Sequence, residues 1–262
     1  MIRFGPAGLG GAKEAIPNLE DYKKNGISAC EIAFTYGVYL KEEDAVEIGK
    51  AAKRLGIKLS IHAPYWINLN SKEKKKIEES KKRIIDCCKI GSLLGAYLVV
   101  FHPGYYGKMG KEETYQNIKK GIIEIIKELK RHKWGIQIAA ETTGKVNVFG
   151  SVDEILRLVN ETGCSFCIDF AHIRAREKRI DYKGILEKLK SYGRMHIHFS
   201  GIVYGEKGER SHTLTPESEI KELLKNLQEN VPEGKEIVII NESPNPLGDS
   251  IKSIKMSKSL KI

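Results

Sequence analysis

Short apolar runs alternate along the chain with longer amphipathic segments. Runs such as KLSIHA, YLVVFHP and EIVIINE are dense in Val, Ile and Leu, which is typical of parallel strands covered on both faces. Eight runs are predicted as strands, near residues 1–5, 28–34, 57–62, 97–102, 135–141, 164–170, 194–199 and 235–241. The intervening segments are predicted as helices, near residues 11–25, 41–55, 71–94, 112–132, 151–162, 181–191 and 216–230.

This repeated βα order predicts an α/β protein, a (β/α)8 TIM barrel. Eight βα units within 262 residues favour closure into a barrel, although periodicity alone also permits an open doubly wound sheet. No linker, repeat or low-complexity segment divides the chain, so a single TIM-barrel domain over residues 1–262 is expected. Glycines at or near the predicted helix ends support the boundaries: Gly26, Gly56, Gly95, Gly135 and Gly163.

Composition narrows the class of protein. The formal net charge of +10 suits a partner with phosphate groups, but it suits solvated helix faces equally well. The five cysteines form no disulfide framework, no leader pattern opens the chain, and no apolar run approaches the roughly 20 residues of a membrane span. A soluble cytoplasmic protein with reduced thiols is therefore expected.

Six successive predicted strands end on side chains that bind metals. In a parallel barrel the carboxyl ends of the strands meet at one mouth, where active sites lie. The strand-end residues are His62, His102, Glu141, Asp169, either His196 or His198, and Glu242. Of the seven histidines only His132 falls in a predicted helix, while His172 and His212 lie in loops at the same end. Carboxylates crowded together need a cation, and imidazole with carboxylate suits Zn²⁺, with Mn²⁺ or Fe also possible.

Three other features are given ordinary structural interpretations. Cys164 and Cys167 lie three apart on a strand and face opposite sides, so they are predicted to be core residues. The GPAGLGG segment, residues 5–11, fits neither a P-loop nor a dinucleotide fingerprint and is predicted to be a tight turn. The lysine-rich C-terminus is a phosphate-tracking helix face or, as favoured here, a solvated tail; its lysines are Lys252, Lys255, Lys258 and Lys261.

Several segments together resemble endonuclease IV, the apurinic/apyrimidinic endonuclease family of the xylose-isomerase-like barrel superfamily. They are HAPYWINL (62–69), FHPG (101–104), AETTG (140–144), CIDFAH (167–172) and INESPNP (240–246). The resemblance implies a zinc-dependent hydrolase that cuts the phosphodiester 5′ to abasic sites in double-stranded DNA during base-excision repair. A monomer is expected.

The resemblance also implies roles for individual residues. One zinc ion would take His62 and His102, with Glu141 as the catalytic bridge to a second ion. The second ion would use the remaining strand ends, and a third ion the two loop histidines. These further ligands are Asp169, His198 and Glu242 for the second ion, and His172 and His212 for the third. His198 is preferred over His196 by a narrow margin. Tyr65 matches the family aromatic beside the lesion, and Asn68 in the same motif is expected to bind substrate.

The sequence departs from the family at two places. Arg210 stands where the family has an aspartate two residues before the loop histidine, so Glu209 or Glu206 must replace that ligand or only two ions bind. The second-strand loop EIAFTYGVYL, residues 31–40, lacks the family's basic residue, which weakens the case for DNA recognition.

Two alternative functions remain. Sugar isomerases and epimerases of the superfamily bind one Mn²⁺, Co²⁺ or Mg²⁺ through Glu, Asp, His and Glu at the fifth to eighth strand ends, and this chain has Glu141, Asp169, His198 and Glu242 there. The additional histidines favour the nuclease. A non-catalytic nucleic-acid-binding protein on the same scaffold is the third hypothesis.

Overall fold

Every predicted apolar run forms a strand of one parallel sheet in the computed structural model, which describes residues 1–262. The strands of this sheet are β1 (Ile2–Pro6), β2 (Ala29–Ala33), β3 (Lys58–His62), β4 (Leu98–Phe101), β5 (Gln137–Glu141), β6 (Ser165–Asp169), β7 (Arg194–Phe199) and β10 (Glu236–Asn241). Their order is β1-β10-β7-β6-β5-β4-β3-β2. A separate antiparallel hairpin follows β7 and consists of β8 (Gly201–Gly205) and β9 (Gly208–Thr213). The expected (β/α)8 TIM barrel is thus confirmed.

The seam between β1 and β2 closes the barrel through few contacts. Ala7 forms a parallel bridge with Glu31, and the Gly8 backbone N–H donates to the Glu31 carbonyl at 2.7 Å. Gly5 permits this approach, because a Cβ there would lie 1.9 Å from the Ala29 carbonyl oxygen. Gly8 has φ of 105°, which confirms a tight turn in the glycine-rich segment.

Nine helices surround the sheet. They are α1 (Ala12–Lys24), α2 (Glu42–Leu55), α3 (Lys74–Leu94), α4 (Lys111–His132), α5 (Val152–Thr162), α6 (Phe170–Glu177), α7 (Tyr182–Leu189), α8 (Glu217–Asn230) and α9 (Pro246–Leu260). Gly56, Gly95 and Gly163 end α2, α3 and α5 in the left-handed conformation, as expected. Helix α4 ends instead on Lys133, at φ of 56°, two residues before Gly135.

The C-terminal tail was predicted wrongly, because the lysine-rich segment is a packed helix. Helix α9 contacts β1, and its buried face consists of Asp249, Ser250, Ser253 and Ser257. Serines lack the apolar spacing that marks an amphipathic helix, while their small side chains permit close approach to the barrel. Helix α6 and the β8–β9 hairpin also lie outside the predicted elements.

The barrel interior contains polar groups as well as apolar ones. Cys167 packs there with Leu98 and Val100, whereas Cys164 belongs to the outer core between sheet and helices. The two cysteines are buried on opposite faces, and all five cysteines are free. None of the cysteines forms a disulfide. No helix is both long and apolar enough to cross a membrane.

A charge cluster at the opposite, amino-terminal end of the barrel gives a pH prediction. The Glu236 carboxylate contacts Lys58 and accepts from Arg194 at 2.7 Å, with Arg3 at 3.4 Å. Burial raises the pKa of Glu236, but hydrogen bonds from Lys58 and Arg194 outweigh it and lower the pKa to about 2.

Because the folded pKa lies below the ordinary value of 4.5, this carboxylate stabilises the fold above that value and loses its contribution as pH falls toward 2. A Glu236→Gln variant should be less stable by about 1–2 kcal/mol at pH 7, allowing for partial solvent screening. Urea unfolding of both proteins between pH 7 and pH 2 measures the difference, which should shrink through the acid range. A constant difference would contradict the assignment.

Candidate metal centre

The carboxyl ends of the barrel strands bring the predicted metal-binding side chains together around one cavity. It has a volume of about 240 Å³. His62, Glu141 and Asp169 are the last residues of β3, β5 and β6, while His102 and Glu242 directly follow β4 and β10. Polar groups at the ends of six strands, or in the segments that follow them, line the cavity, including His62, His102, His172, Glu209, His212 and Glu242. Parallel strand direction explains why the strand-end residues meet although they are distant in sequence, whereas the hairpin that follows β7 brings Glu209 and His212.

Glu141 is the central carboxylate. It is fully buried, and four imidazoles approach its two oxygens. Nε2 of His62 and of His102 lie 3.0 Å from Oε2, and Nδ1 of His172 and of His198 lie 3.2 Å from Oε1. Burial raises the pKa of Glu141, but the charges of His102 and His198 outweigh it and hold that pKa well below its usual range. The carboxylate is therefore ionised and can serve two cations at once, one through each oxygen.

Backbone carbonyls set the tautomers of two histidines. Nδ1 of His62 lies 2.8 Å from the Ala63 carbonyl, and Nδ1 of His172 lies 2.9 Å from the Thr142 carbonyl. Because a carbonyl oxygen only accepts, Nδ1 of each ring carries a proton, and when the ring is neutral its Nε2 lone pair would face the cavity. Burial lowers the pKa of His62, but the hydrogen bond and charge of Glu141 have the larger effect and raise this pKa above its ordinary value of 6.5, to about 9. Protons therefore compete with cations for the same nitrogen.

One carboxylate oxygen of Asp169 accepts no aligned hydrogen bond, although His172 Nδ1 lies 3.3 Å from it. Its Oδ1 accepts from the His172 backbone N–H at 2.7 Å, which caps α6, while the buried Oδ2 has no hydrogen-bond partner. Burial raises the pKa of Asp169. Ligand atoms of Glu141, Asp169, His198 and Glu242 all lie within 4.8 Å of one another. A buried carboxylate oxygen without a donor is costly, so this group of donors fits a cation.

His102 shows the same feature on the other side of Glu141. Its Nε2 is buried and within 3.0 Å of the Glu141 carboxylate, yet forms no aligned hydrogen bond. His102, Glu141 and His172 form a second group whose ligand atoms lie within 4.8 Å, and His62, Glu141 and His198 form a third. The shared carboxylate makes these groups neighbours that overlap at Glu141.

The β8–β9 hairpin brings a further carboxylate to the mouth. Glu209 Oε2 lies 3.4 Å from His172 Nε2, and His212 Nε2 lies 3.9 Å from Glu209 Oε1. The Glu209 backbone N–H donates to the Gly144 carbonyl at 3.0 Å, which fastens the hairpin to the loop after β5. Glu206 is exposed at the turn of the hairpin. Of the two glutamates considered from sequence, the geometry therefore favours Glu209.

The seventh strand presents its two histidines to different surroundings. His198 Nδ1 faces Glu141 and lies 3.4 Å from Glu242, so His198 is the one that joins the cavity group. Burial raises the pKa of Glu242, but the His198 charge outweighs it and lowers that pKa to about 2. His196 lies deeper, with Nδ1 2.6 Å from the Tyr97 hydroxyl. The sequence-based preference for His198 agrees with this geometry.

Tyr65 and Asn68 occupy different positions. Tyr65 is 58% exposed at the cavity rim, with its ring centroid 6.5 Å from that of His62. Asn68 does not line the cavity. Its Oδ1 instead accepts from the backbone N–H groups of Asn70 at 3.0 Å and Tyr105 at 3.4 Å. Asn68 thus ties the loops after β3 and β4 together, and the structure does not place it with the other predicted site residues.

Glu31 is a buried acid that the sequence analysis passed over. It lies in β2, fully buried, with Oε1 2.8 Å from His198 Nε2. Burial raises the pKa of Glu31, yet the neighbouring histidines hold it well below the usual range. The available signal was a charged residue inside the otherwise apolar run ACEIAF, where a strand covered on both faces should have none.

The barrel and the cavity group define a class: TIM-barrel proteins with several metal-ligand side chains at the mouth. Residues 19–259 match the family of xylose isomerase-like TIM barrels, and the chain belongs to this family. An uncharacterized protein of Methanocaldococcus jannaschii is 39% identical over 276 residues, covering 99% of this chain and 98% of that protein. A probable endonuclease 4 of Aquifex aeolicus is 26% identical over 164 residues, covering 57% of this chain and 58% of that protein.

Several solved structures share the fold. SacUVDE superposes with a TM-score of 0.78 at 17% identity, covering 100% of this chain and 99% of that one. Endonuclease IV from Thermus thermophilus gives 0.71 at 20% identity, covering 99% of both chains. D-psicose 3-epimerase, solved in the presence of D-fructose, gives 0.72 at 16% identity, covering 98% of both. At these identities the likeness shows the fold and does not separate nuclease from epimerase.

Proposed function

We propose that this protein is a zinc-dependent endonuclease that hydrolyses the phosphodiester 5′ to abasic sites in double-stranded DNA, as a monomer acting in base-excision repair. One observation carries the proposal: the cavity has more ligand groups than a single ion can use. The groups that share Glu141 are joined through His172 to a further group with Glu209 and His212. Zinc takes about four ligands, so the donor set suits two or three ions. Mn²⁺ could occupy the same donors.

The protein's own side chains fix the donors in place. Neighbouring divalent ions would polarise a phosphoryl oxygen and stabilise both the attacking and the leaving oxygen of a displacement. Glu141 holds four imidazoles around one point, and the carbonyls of Ala63 and Thr142 keep two of those rings oriented. The α6 N-cap at Asp169 fixes the carboxylate that would join the second ion. The site is therefore organised by packing and hydrogen bonds before substrate arrives.

Exposed aromatic side chains around the mouth support a nucleic-acid substrate. Tyr36 is 83% exposed, Trp66 64% and Tyr105 50%, in the loops after β2, β3 and β4. Aromatic rings in water are costly unless a partner covers them, and nucleobases or the duplex edge at a kinked lesion would do so. The net charge of +10 is compatible with a phosphate backbone as partner.

Removing a rim aromatic should weaken DNA binding while leaving the metal centre intact. Tyr65→Ala is expected to raise the Kd for abasic duplex by about tenfold, because Tyr65 lines the cavity and stacking contributes about 1–3 kcal/mol per base. Fluorescence anisotropy with a labelled duplex measures this. Tyr204→Ala is the matched control, since Tyr204 is exposed on the β8–β9 hairpin but does not line the cavity. Equal affinities for both variants would count against DNA at this rim.

The second candidate is a single-metal sugar epimerase. Glu141, Asp169, His198 and Glu242 form one four-residue group, which suits one ion, and D-psicose 3-epimerase shares the fold. His102, His172, Glu209 and His212 have no role in that group.

Metal counting with two substrate assays separates these candidates. The purified protein should bind two or three zinc ions per chain and nick a duplex that carries one abasic site. One ion per chain, with interconversion of ketoses and no nicking, would establish the epimerase instead. Duplex binding without nicking by fully metal-loaded protein would favour the non-catalytic hypothesis.

A further inference from the structure

A buried polar chain lies beneath the candidate metal centre, inside the barrel. It begins at Glu31, whose Oε2 accepts from the Ser60 hydroxyl at 2.8 Å and lies 3.0 Å from His196 Nε2. The other oxygen, Oε1, is buried, makes no aligned hydrogen bond, and lies 2.8 Å from His198 Nε2. None of these residues lines the cavity, and His198 links them to it by contacting Glu141 and the lining residue Glu242. A fully buried carboxylate with one spare acceptor calls for a donor.

Tyr97 determines where the proton of His196 resides. Its hydroxyl lies 2.6 Å from His196 Nδ1. If the hydroxyl donates to Nδ1, the His196 proton sits on Nε2 and points at the Glu31 carboxylate. The reverse arrangement would place a bare nitrogen against a carboxylate oxygen at 3.0 Å, which is repulsive. The first arrangement therefore satisfies all three groups and fixes the orientation of Glu31.

His198 connects this chain to the cavity. Nδ1 of its ring faces Glu141 and Glu242, at 3.2 and 3.4 Å. A neutral imidazole binds a cation through its bare nitrogen and keeps one proton on the other. With Nδ1 toward the cavity, the proton belongs on Nε2, whose nearest acceptor is the spare Oε1 of Glu31.

We propose that Glu31 is a positioning residue: held by Ser60 and by the Tyr97–His196 pair, it receives the Nε2 proton of His198 and so directs the Nδ1 lone pair into the metal centre. This rests on the proposed metal centre but not on the choice of DNA as substrate. Carboxylates that accept from a metal-bound histidine orient the ring and raise its basicity, and losing one costs about 10- to 100-fold in metal affinity.

Glu31→Gln tests the proposal in two ways that do not involve catalysis. Zinc affinity, measured by competition with a chelator, should fall by about 10- to 100-fold. In zinc-loaded protein labelled with ¹⁵N, the His198 ring should carry its proton on Nε2 in the wild type, and this signal should shift or broaden in the variant. Glu236→Gln, which alters a carboxylate at the opposite end of the barrel, should leave both measurements unchanged.

Tyr97→Phe removes only the hydroxyl that contacts His196, so it should lower zinc affinity by less than Glu31→Gln does. This variant keeps the test decisive if Glu31→Gln fails to fold. Unchanged affinity with an unchanged Nε2 signal would overturn the proposal. So would the loss of one whole ion at saturating zinc in both Glu31→Gln and Cys167→Ser, because Cys167, His196 and His198 would then be ligands of an ion inside the barrel. A protein that fails to nick DNA but shows the expected affinity loss would contradict the proposed function alone.

Discussion

Replacing Glu141 with glutamine is expected to abolish incision and to strip the centre of metal. Glutamine keeps the volume of the buried side chain, but its amide can offer only one oxygen where the carboxylate offers two, with imidazoles at 3.0–3.2 Å on both sides. The NH₂ group would also meet nitrogens that need to face a cation. We expect nicking of abasic duplex to fall by at least about 10³-fold, roughly 4 kcal/mol of transition-state stabilisation. Single-turnover incision and metal analysis measure both effects.

Glu236→Gln is the matched control for this substitution, because Glu236 is a partly buried glutamate at the other end of the barrel. It should incise at the wild-type rate at neutral pH. A Glu141→Gln protein that keeps its metal and its rate would remove the basis for a bridging carboxylate. Circular dichroism of the variant establishes that any loss is local to the site.

Replacing Glu209 with glutamine is expected to have the second large effect on metal binding and incision. Glu209→Gln should cost one ion per chain and lower incision by about 10²-fold, because His172 and His212 alone are too few to hold an ion. The remaining ions near Glu141 should stay bound. Metal stoichiometry, measured on the same preparation as the incision rate, checks the two results together.

Glu206→Gln provides the control, since Glu206 belongs to the same hairpin but is exposed. It should bind metal and cut as the wild type does. If Glu209→Gln keeps both full stoichiometry and full rate, the third ion is absent and the centre holds two at most. A single-metal epimerase predicts no loss of metal in Glu209→Gln, so this variant also separates the two candidate functions.

The sequence was most informative where strand order alone decides position. His62, Glu141 and Asp169 each close an apolar run, and parallel strands bring such ends together regardless of loop detail. The choice of His198 over His196 was narrow because both lie in one strand and face the barrel interior. Only the contacts of each ring, with Glu242 for one and Tyr97 for the other, separate them.

The loops and the small-residue helix were harder to predict. Glu209 reaches His172 because the β8–β9 hairpin folds back onto the Gly144 carbonyl, a long-range contact that no local pattern encodes. Asn68 sits in the matching motif, yet its side chain is occupied by backbone groups. Helix α9 escaped prediction because its buried face is made of serines rather than of apolar residues.

The role of Glu31 could not be predicted from the sequence for a different reason. Its strand was predicted, but a single acid in an apolar run gives no partner, and its neighbours come from β3 and β7. The role proposed for Glu31 depends on where the protons of Ser60, Tyr97, His196 and His198 lie.

The position of the cut in a defined duplex tests the central claim most directly. Zinc-loaded protein is incubated with a duplex that carries one abasic site and is labelled at either end of that strand. The proposed function predicts a single nick on the 5′ side of the site, leaving a 3′-hydroxyl that a polymerase extends, and no nick in an intact duplex. No cleavage by protein shown to hold its full complement of metal, or cleavage without regard to the abasic site, would contradict it.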